Sequence, residues 1–113
     1  MDVQHVGHRR SDVFRVTGRI DSSSAPEFER TLMDSIHNGR GNIVVNLRDV
    51  EYLSSAALRA LIAALKETRG RTLSSGNVVL AEVPPRVREV FDLAALSGLF
   101  TFYDDESQAV GSF

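Results

Sequence analysis

The chain has 113 residues, 42% of them hydrophobic, and no cysteine. That is enough for one domain with its own core and too little for two, and it excludes a disulfide framework, a thiolate zinc site and a cysteine nucleophile. Thirteen Lys and Arg against fifteen Asp and Glu leave a formal net charge of −2, with the signs alternating along the chain, so no nucleic-acid partner is expected.

Val13-Phe14-Arg15-Val16-Thr17, followed by Gly18, predicts a strand, with Val3 to Val6 as its pairing partner. Ser22-Ser23-Ser24-Ala25-Pro26-Glu27 predicts a helix start, with Ser24 as N-cap, Glu27 completing a capping box and Pro26 tolerated in the first turn. Phe28, Leu32 and Ile36 then share one face until Asn38-Gly39 stops the helix. Asn42 to Leu47 is a nearly continuous apolar run, as expected of a central strand covered on both faces. Past Arg48 to Leu53, a second helix begins near Ser54 and turns Leu58, Leu61, Ile62 and Leu65 inward, with Arg59, Ala60, Ala63 and Ala64 as an outward, small-residue surface.

A polar, glycine-punctuated loop from Arg69 to Asn77 leads to a strand over Val78 to Val83, which Pro84-Pro85 ends. A third helix carries Val87, Val90, Phe91 and Ala94 inward until Gly98. A short strand over Phe100 to Tyr103 follows, then a last helix near Glu106 to Val110, capped by Asp104 or Asp105. The order predicts a single α/β domain over 1–113, with its core over about 3–110. Its sheet is a single layer of four to five mostly parallel strands with about four helices and right-handed crossovers. The start MDVQHVGHRR lacks a signal peptide's apolar segment, and no apolar run approaches the roughly eighteen residues of a membrane span. A cytoplasmic location without direct membrane insertion is therefore expected.

In open α/β sheets, ligands and partners meet the loops at the carboxyl ends of strands, where helix N-termini present free N–H groups. Three joints qualify: Asp21 to Ser24, Asp49 to Ala56, and Glu82 to Pro85. At the middle one, Ser54-Ser55 opens a helix, so Ser54 is either a plain N-cap or a hydroxyl whose phosphate the helix start would tolerate. His5 and His8 point to opposite faces of a strand without a third ligand nearby. His37 suits a helix C-terminus, and Asp104-Asp105-Glu106 suits a helix start without any metal. No set of nucleophile, base and orienting group assembles, so neither a catalytic residue, a metal nor a cofactor is expected.

The chain resembles the STAS domains, above all the small bacterial anti-sigma-factor antagonists. The resemblance is carried by Val16-Thr17-Gly18-Arg19-Ile20-Asp21 with Ala25-Pro26-Glu27, by Ile43 to Val50 leading into Tyr52-Leu53-Ser54-Ser55-Ala56-Ala57-Leu58, by Val83 to Phe91, and by Gly98-Leu99-Phe100 through Glu106. It implies a protein-binding regulator that is not an enzyme. Its partner would be an anti-sigma-factor kinase of the histidine-kinase-like ATPase fold, with a serine phosphatase as a second partner. A STAS subunit regulating an anion or lipid transporter is the alternative.

The serine that the family phosphorylates falls on Ser54, with Ser55 beside it. Leu53 stands where the family has aspartate and Ala56 where it has glycine. Leu53 cannot accept a hydrogen bond, which implies slow or absent phosphorylation by a kinase that depends on the carboxylate. Asp21, Ser22, Ser54, Ser55, Ala56 and Arg59 are the expected partner-binding residues. The loop Arg71 to Asn77 is a few residues longer than the family's.

Overall fold

The structure, a computed structural model, describes residues 1–70 and 76–113; most of the loop Arg71 to Asn77 lies outside them. Strands β1 (Asp2–Gly7), β2 (Asp12–Ile20), β3 (Asn42–Leu53), β4 (Asn77–Ala81) and β5 (Phe102–Tyr103) form one sheet in the order β1-β2-β3-β4-β5. β1 runs antiparallel to β2, and the remaining pairs are parallel. Helices α1 (Ala25–His37), α2 (Ser55–Arg69) and α3 (Pro85–Leu93) connect the parallel strands, and α4 (Glu106–Gly111) closes the described chain. The expected α/β class, strand number and near-parallel order are the ones observed.

Because each crossover steps to the next strand in the same direction and has the same hand, all three connecting helices lie on one face of the sheet. There Phe28, Leu32, Ile36, Leu61, Leu65, Val87 and Phe91 meet Ile43, Val45 and Leu47 in the main core. On the other face Val44 joins Val13, Val79, Ala81 and Ala109 of α4 in a smaller cluster. The unbroken apolar run at the start of β3 follows from this, since neighbouring side chains enter different cores.

β3 continues six residues past Leu47, beyond the strand that the apolar run predicts. Arg15 pairs with Asn46 but Thr17 with Asp49, and Gly18 pairs with Val50 but Arg19 with Tyr52. Each shift inserts one extra residue in β3, and each bulge resets which side chain faces the helices. Leu47, Val50 and Leu53 are consequently buried at every third position, and the alternation that marks a strand is lost. Gly18 lies within β2 rather than ending it, at φ +95, a backbone angle that glycine adopts without the cost other residues bear.

Other boundaries differ for local reasons. α3 stops at Leu93, because Ala95 turns left-handed at φ 59 and Leu96 N–H returns to the Phe91 carbonyl at 2.8 Å. Ala94 is therefore an exposed cap, not a core residue. β4 ends at Ala81 as Glu82 turns to φ 55. In the last strand only Phe102–Tyr103 pair with β4, although Phe100 is buried in the main core. On α2, Ala60 and Ala64 are buried alongside the residues of α1, and Ile62 is only half-buried. The expected small-residue surface thus reduces to Arg59 and half-buried Ala63.

Candidate functional site

The ends of β2 and β3 meet at one edge of the sheet. Ile20 stands opposite Leu53 in register, and Ser54 N–H donates to the Ile20 carbonyl at 3.0 Å. The joint at Asp21–Ser24 and the joint at Ser54–Ala56 are therefore neighbours, as their adjacency in the sheet requires. The third joint is elsewhere: Ala81 pairs with Asn46, seven residues back along β3 from Leu53. Glu82 to Pro85 is thereby set roughly 20 Å lower on the sheet.

Ser54 is the N-cap of α2, and its Oγ accepts the Ala57 N–H at 3.1 Å. Only 8% of the residue is exposed, whereas Ser55 beside it is fully at the surface and Ala56 is half-buried. Leu53 is 3% exposed and belongs to the main core, so β3 holds Ser54 just beneath the surface on a buried base. Arg59 follows one turn along α2 from Ser55, on the exposed side.

At the first joint the expected capping box does not form: Ser24 makes no side-chain cap to α1. Asp21 takes over. Its Oδ1 accepts the backbone N–H of Ser23 and of Ser24, each at 3.0 Å, and the Ser23 hydroxyl at 2.7 Å. The Ser24 Oγ turns back to accept the Asp21 N–H at 3.0 Å. These donors, the Ser23 hydroxyl foremost, hold the Asp21 carboxyl down to about 2. Asp21 is thus a fixed negative charge beside Ser54, and Ser22 is exposed at the apex of the turn.

Two functional candidates escaped the sequence reading. Arg19 and Tyr52 face each other across β2 and β3, with the guanidinium 4.4 Å from the ring centroid, and Tyr52 is 43% exposed. A stacked Tyr–Arg pair is the composition of an interface anchor. The available signal was Tyr52 itself, a large aromatic next to the cap, obscured because this stretch did not read as strand.

The remaining candidates have structural partners. His5 pairs with Asp12 at 2.7 Å and stacks on Phe14, His37 lies 3.3 Å from Glu67, and Asp105 caps α4 through Gln108 N–H at 2.8 Å. Glu106 takes two bonds from Arg15, at 2.8 and 2.6 Å, and a third from Asn46 at 3.0 Å, which hold its carboxyl below the ordinary range. Among the described residues no group of three or more His, Asp or Glu is arranged to hold a metal. None of the described helices is long and apolar enough to cross a membrane.

Three crossover helices on one face of the sheet, with a capped serine opening α2 where β2 and β3 end together, define a small α/β domain that presents two neighbouring joints at one end of its strands. The STAS domain profile matches residues 3–109, and the chain belongs to that family. It is 30% identical over 96 residues to a Bordetella bronchiseptica protein described as an anti-sigma factor antagonist, BtrV, covering 85% of this chain and 80% of that one. Of solved structures, an anti-sigma factor antagonist of Thermotoga maritima superposes with a TM-score of 0.88 at 22% identity, over 97% of this chain and 92% of that one. The Bacillus antagonist SpoIIAA does so with TM-scores of 0.81 unphosphorylated and 0.75 phosphorylated, at 18% identity, over 96% and 98% of this chain and 93% and 98% of those.

Proposed function

We propose that this STAS domain is an anti-sigma-factor antagonist that docks on its anti-sigma factor through the paired joints and is switched by phosphate on Ser54. The single observation that supports it most is the Ser54–Ile20 bond, which brings the Asp21–Ser24 joint next to the start of α2; Asp21, Ser22, Ser54, Ser55, Ala56 and Arg59 are the residues we assign to docking. The 30% identity to an antagonist favours this reading over regulation of a transporter.

Phosphorylation fits the local chemistry. The Ser54 hydroxyl oxygen would attack the terminal phosphorus of ATP held by the partner kinase, losing its proton to that kinase as ADP leaves. The new phosphate, about −1.5 to −2 in charge, would replace Oγ as acceptor of the Ala57 N–H and gain from the helix start, so folding would survive it. Docking would not. A charge buried at an interface without a cation costs on the order of 2–5 kcal/mol, well over a tenfold loss of affinity. Reversal calls for a serine phosphatase. The chain acts in this scheme as a binding module and phosphoacceptor, not as an enzyme, and its setting is the cytoplasm, where sigma factors act.

Incubation with the kinase and ATP, followed by mass spectrometry, tests the acceptor. The expected product carries phosphate on Ser54, formed slowly because Leu53 offers no carboxylate. Phosphate on Ser22 or Ser55 with none on Ser54 would refute the assignment.

A further inference from the structure

The β1–β2 turn, at the opposite end of β2 from Ser54, carries His8-Arg9-Arg10-Ser11, three basic side chains in a row and all exposed. Its backbone is fixed from one side. Arg40 donates to the carbonyls of His8, Arg9 and Ser11, the latter two at 3.2 Å, and the Asn42 amide donates to that of Arg10 at 2.8 Å. Arg40 is itself held by Asp12 at 2.7 Å. In a trans peptide the carbonyl and the following N–H point in opposite directions. With the carbonyls of His8, Arg9 and Arg10 turned to the body, the N–H groups of Arg9, Arg10 and Ser11 face away from Arg40 and Asn42. None of the three donates to another described residue.

Successive N–H groups on one side of a turn form an anion-binding concavity, and guanidinium groups add the charge-assisted bonds that phosphate prefers. Among the described residues neither Arg9 nor Arg10 makes an ion pair. The Ser11 hydroxyl is buried and has no hydrogen-bond partner among the described residues, an uncommon state in a native fold. A cleft of about 400 Å³ opens here, lined by His8, Arg9, Arg10, Ser11, Val110 and Phe113, with no carboxylate side chain in its wall. The acidic residues Glu82, Asp105 and Glu106 line a neighbouring cleft that shares His8 and Val110 with this one.

We infer that this turn is a second binding site, one that takes a phosphate group on the N–H groups of Arg9 and Arg10 between the two guanidinium side chains. The length of β2 separates it from Ser54 by roughly 26 Å, so its occupant and the docked partner do not compete for space. Either a soluble phosphate ester or a phospholipid headgroup supplies the group, and Val110 and Phe113 offer an apolar wall to whatever it is attached to.

Titration of the full chain with inorganic phosphate at constant ionic strength, followed in amide proton–nitrogen NMR spectra, tests the site. Saturable shifts at Arg9 and Arg10 are expected. The double variant Arg9→Ala/Arg10→Ala should bind about tenfold more weakly at an unchanged melting temperature, since both side chains are exposed. No saturable shift at these amides, or undiminished affinity in the double variant, overturns the proposal. Sedimentation with phosphatidylcholine vesicles, with and without phosphatidylglycerol, separates the sources. Retention that needs phosphatidylglycerol and is lost in the double variant assigns the lipid headgroup; phosphate saturation without retention assigns a soluble ester.

Discussion

Leu53 and Ser54 are consecutive residues with opposite surroundings: the Leu53 side chain closes the main core, and the Ser54 hydroxyl caps the helix that begins at the surface. Change at the first should therefore be read as stability, and change at the second as docking together with the smaller contribution of the helix cap.

Replacing Leu53 by the family's aspartate places a carboxylate among apolar side chains. Burial without a partner costs several kcal/mol in addition to the lost packing. Leu53→Asp is expected to destabilise the chain by about 3 kcal/mol or more, measured by urea unfolding, instead of simply restoring a phosphorylation motif. A variant as stable as the parent would show that Leu53 does not anchor the β3 end.

Ser54→Ala removes the acceptor of the Ala57 N–H. The expected loss is about 1 kcal/mol, in the range of other N-cap deletions. Ser54→Asp keeps an acceptor at the cap and adds a favourable charge, so its melting temperature should match or exceed that of Ser54→Ala.

At the first joint the Asp21 carboxyl, held at about 2 by Ser23 and Ser24, lies below its ordinary value of 3.8. A depressed carboxyl contributes stability above its unfolded value and loses it as pH falls toward the folded one. Glu106, lowered by Arg15, acts in the same direction. Unfolding midpoints should thus fall between about pH 4 and about pH 2, and Asp21→Ala should flatten that dependence. An identical acid profile in Asp21→Ala would contradict the turn's role.

Arg59, on α2, and Tyr52, two residues before Ser54 on β3, are both exposed. Arg59→Glu and Tyr52→Ala are each expected to weaken anti-sigma-factor binding by roughly tenfold, with Arg59→Glu leaving the melting temperature nearly unchanged. Tyr52→Ala also removes the stacking under Arg19 and should cost a few tenths of a kcal/mol or more. Unaltered affinity in both would remove Arg59 and Tyr52 from the docking surface.

The helical faces were legible because Phe28, Leu32, Ile36 and Leu61 obey a simple period and meet one sheet. The end of β3 was not, since two bulges replace alternation by burial of Leu47, Val50 and Leu53. Ala60 and Ala64 read as outward because periodicity shows a face but not a second helix against it. The capping box was outcompeted by Asp21, whose carboxylate reaches the N–H groups of Ser23 and Ser24 first. Ser54 as a cap was visible in the chain; its bond to Ile20, which brings the two joints together, depends on strand order.

The most direct test is the dissociation constant of the complex with the anti-sigma factor, measured calorimetrically for the parent chain, Ser54→Ala and Ser54→Asp. Binding by the parent and by Ser54→Ala, with Ser54→Asp weaker by more than about tenfold while still folded, is the predicted result. Equal affinity of Ser54→Asp and the parent would contradict a phosphate switch at this position.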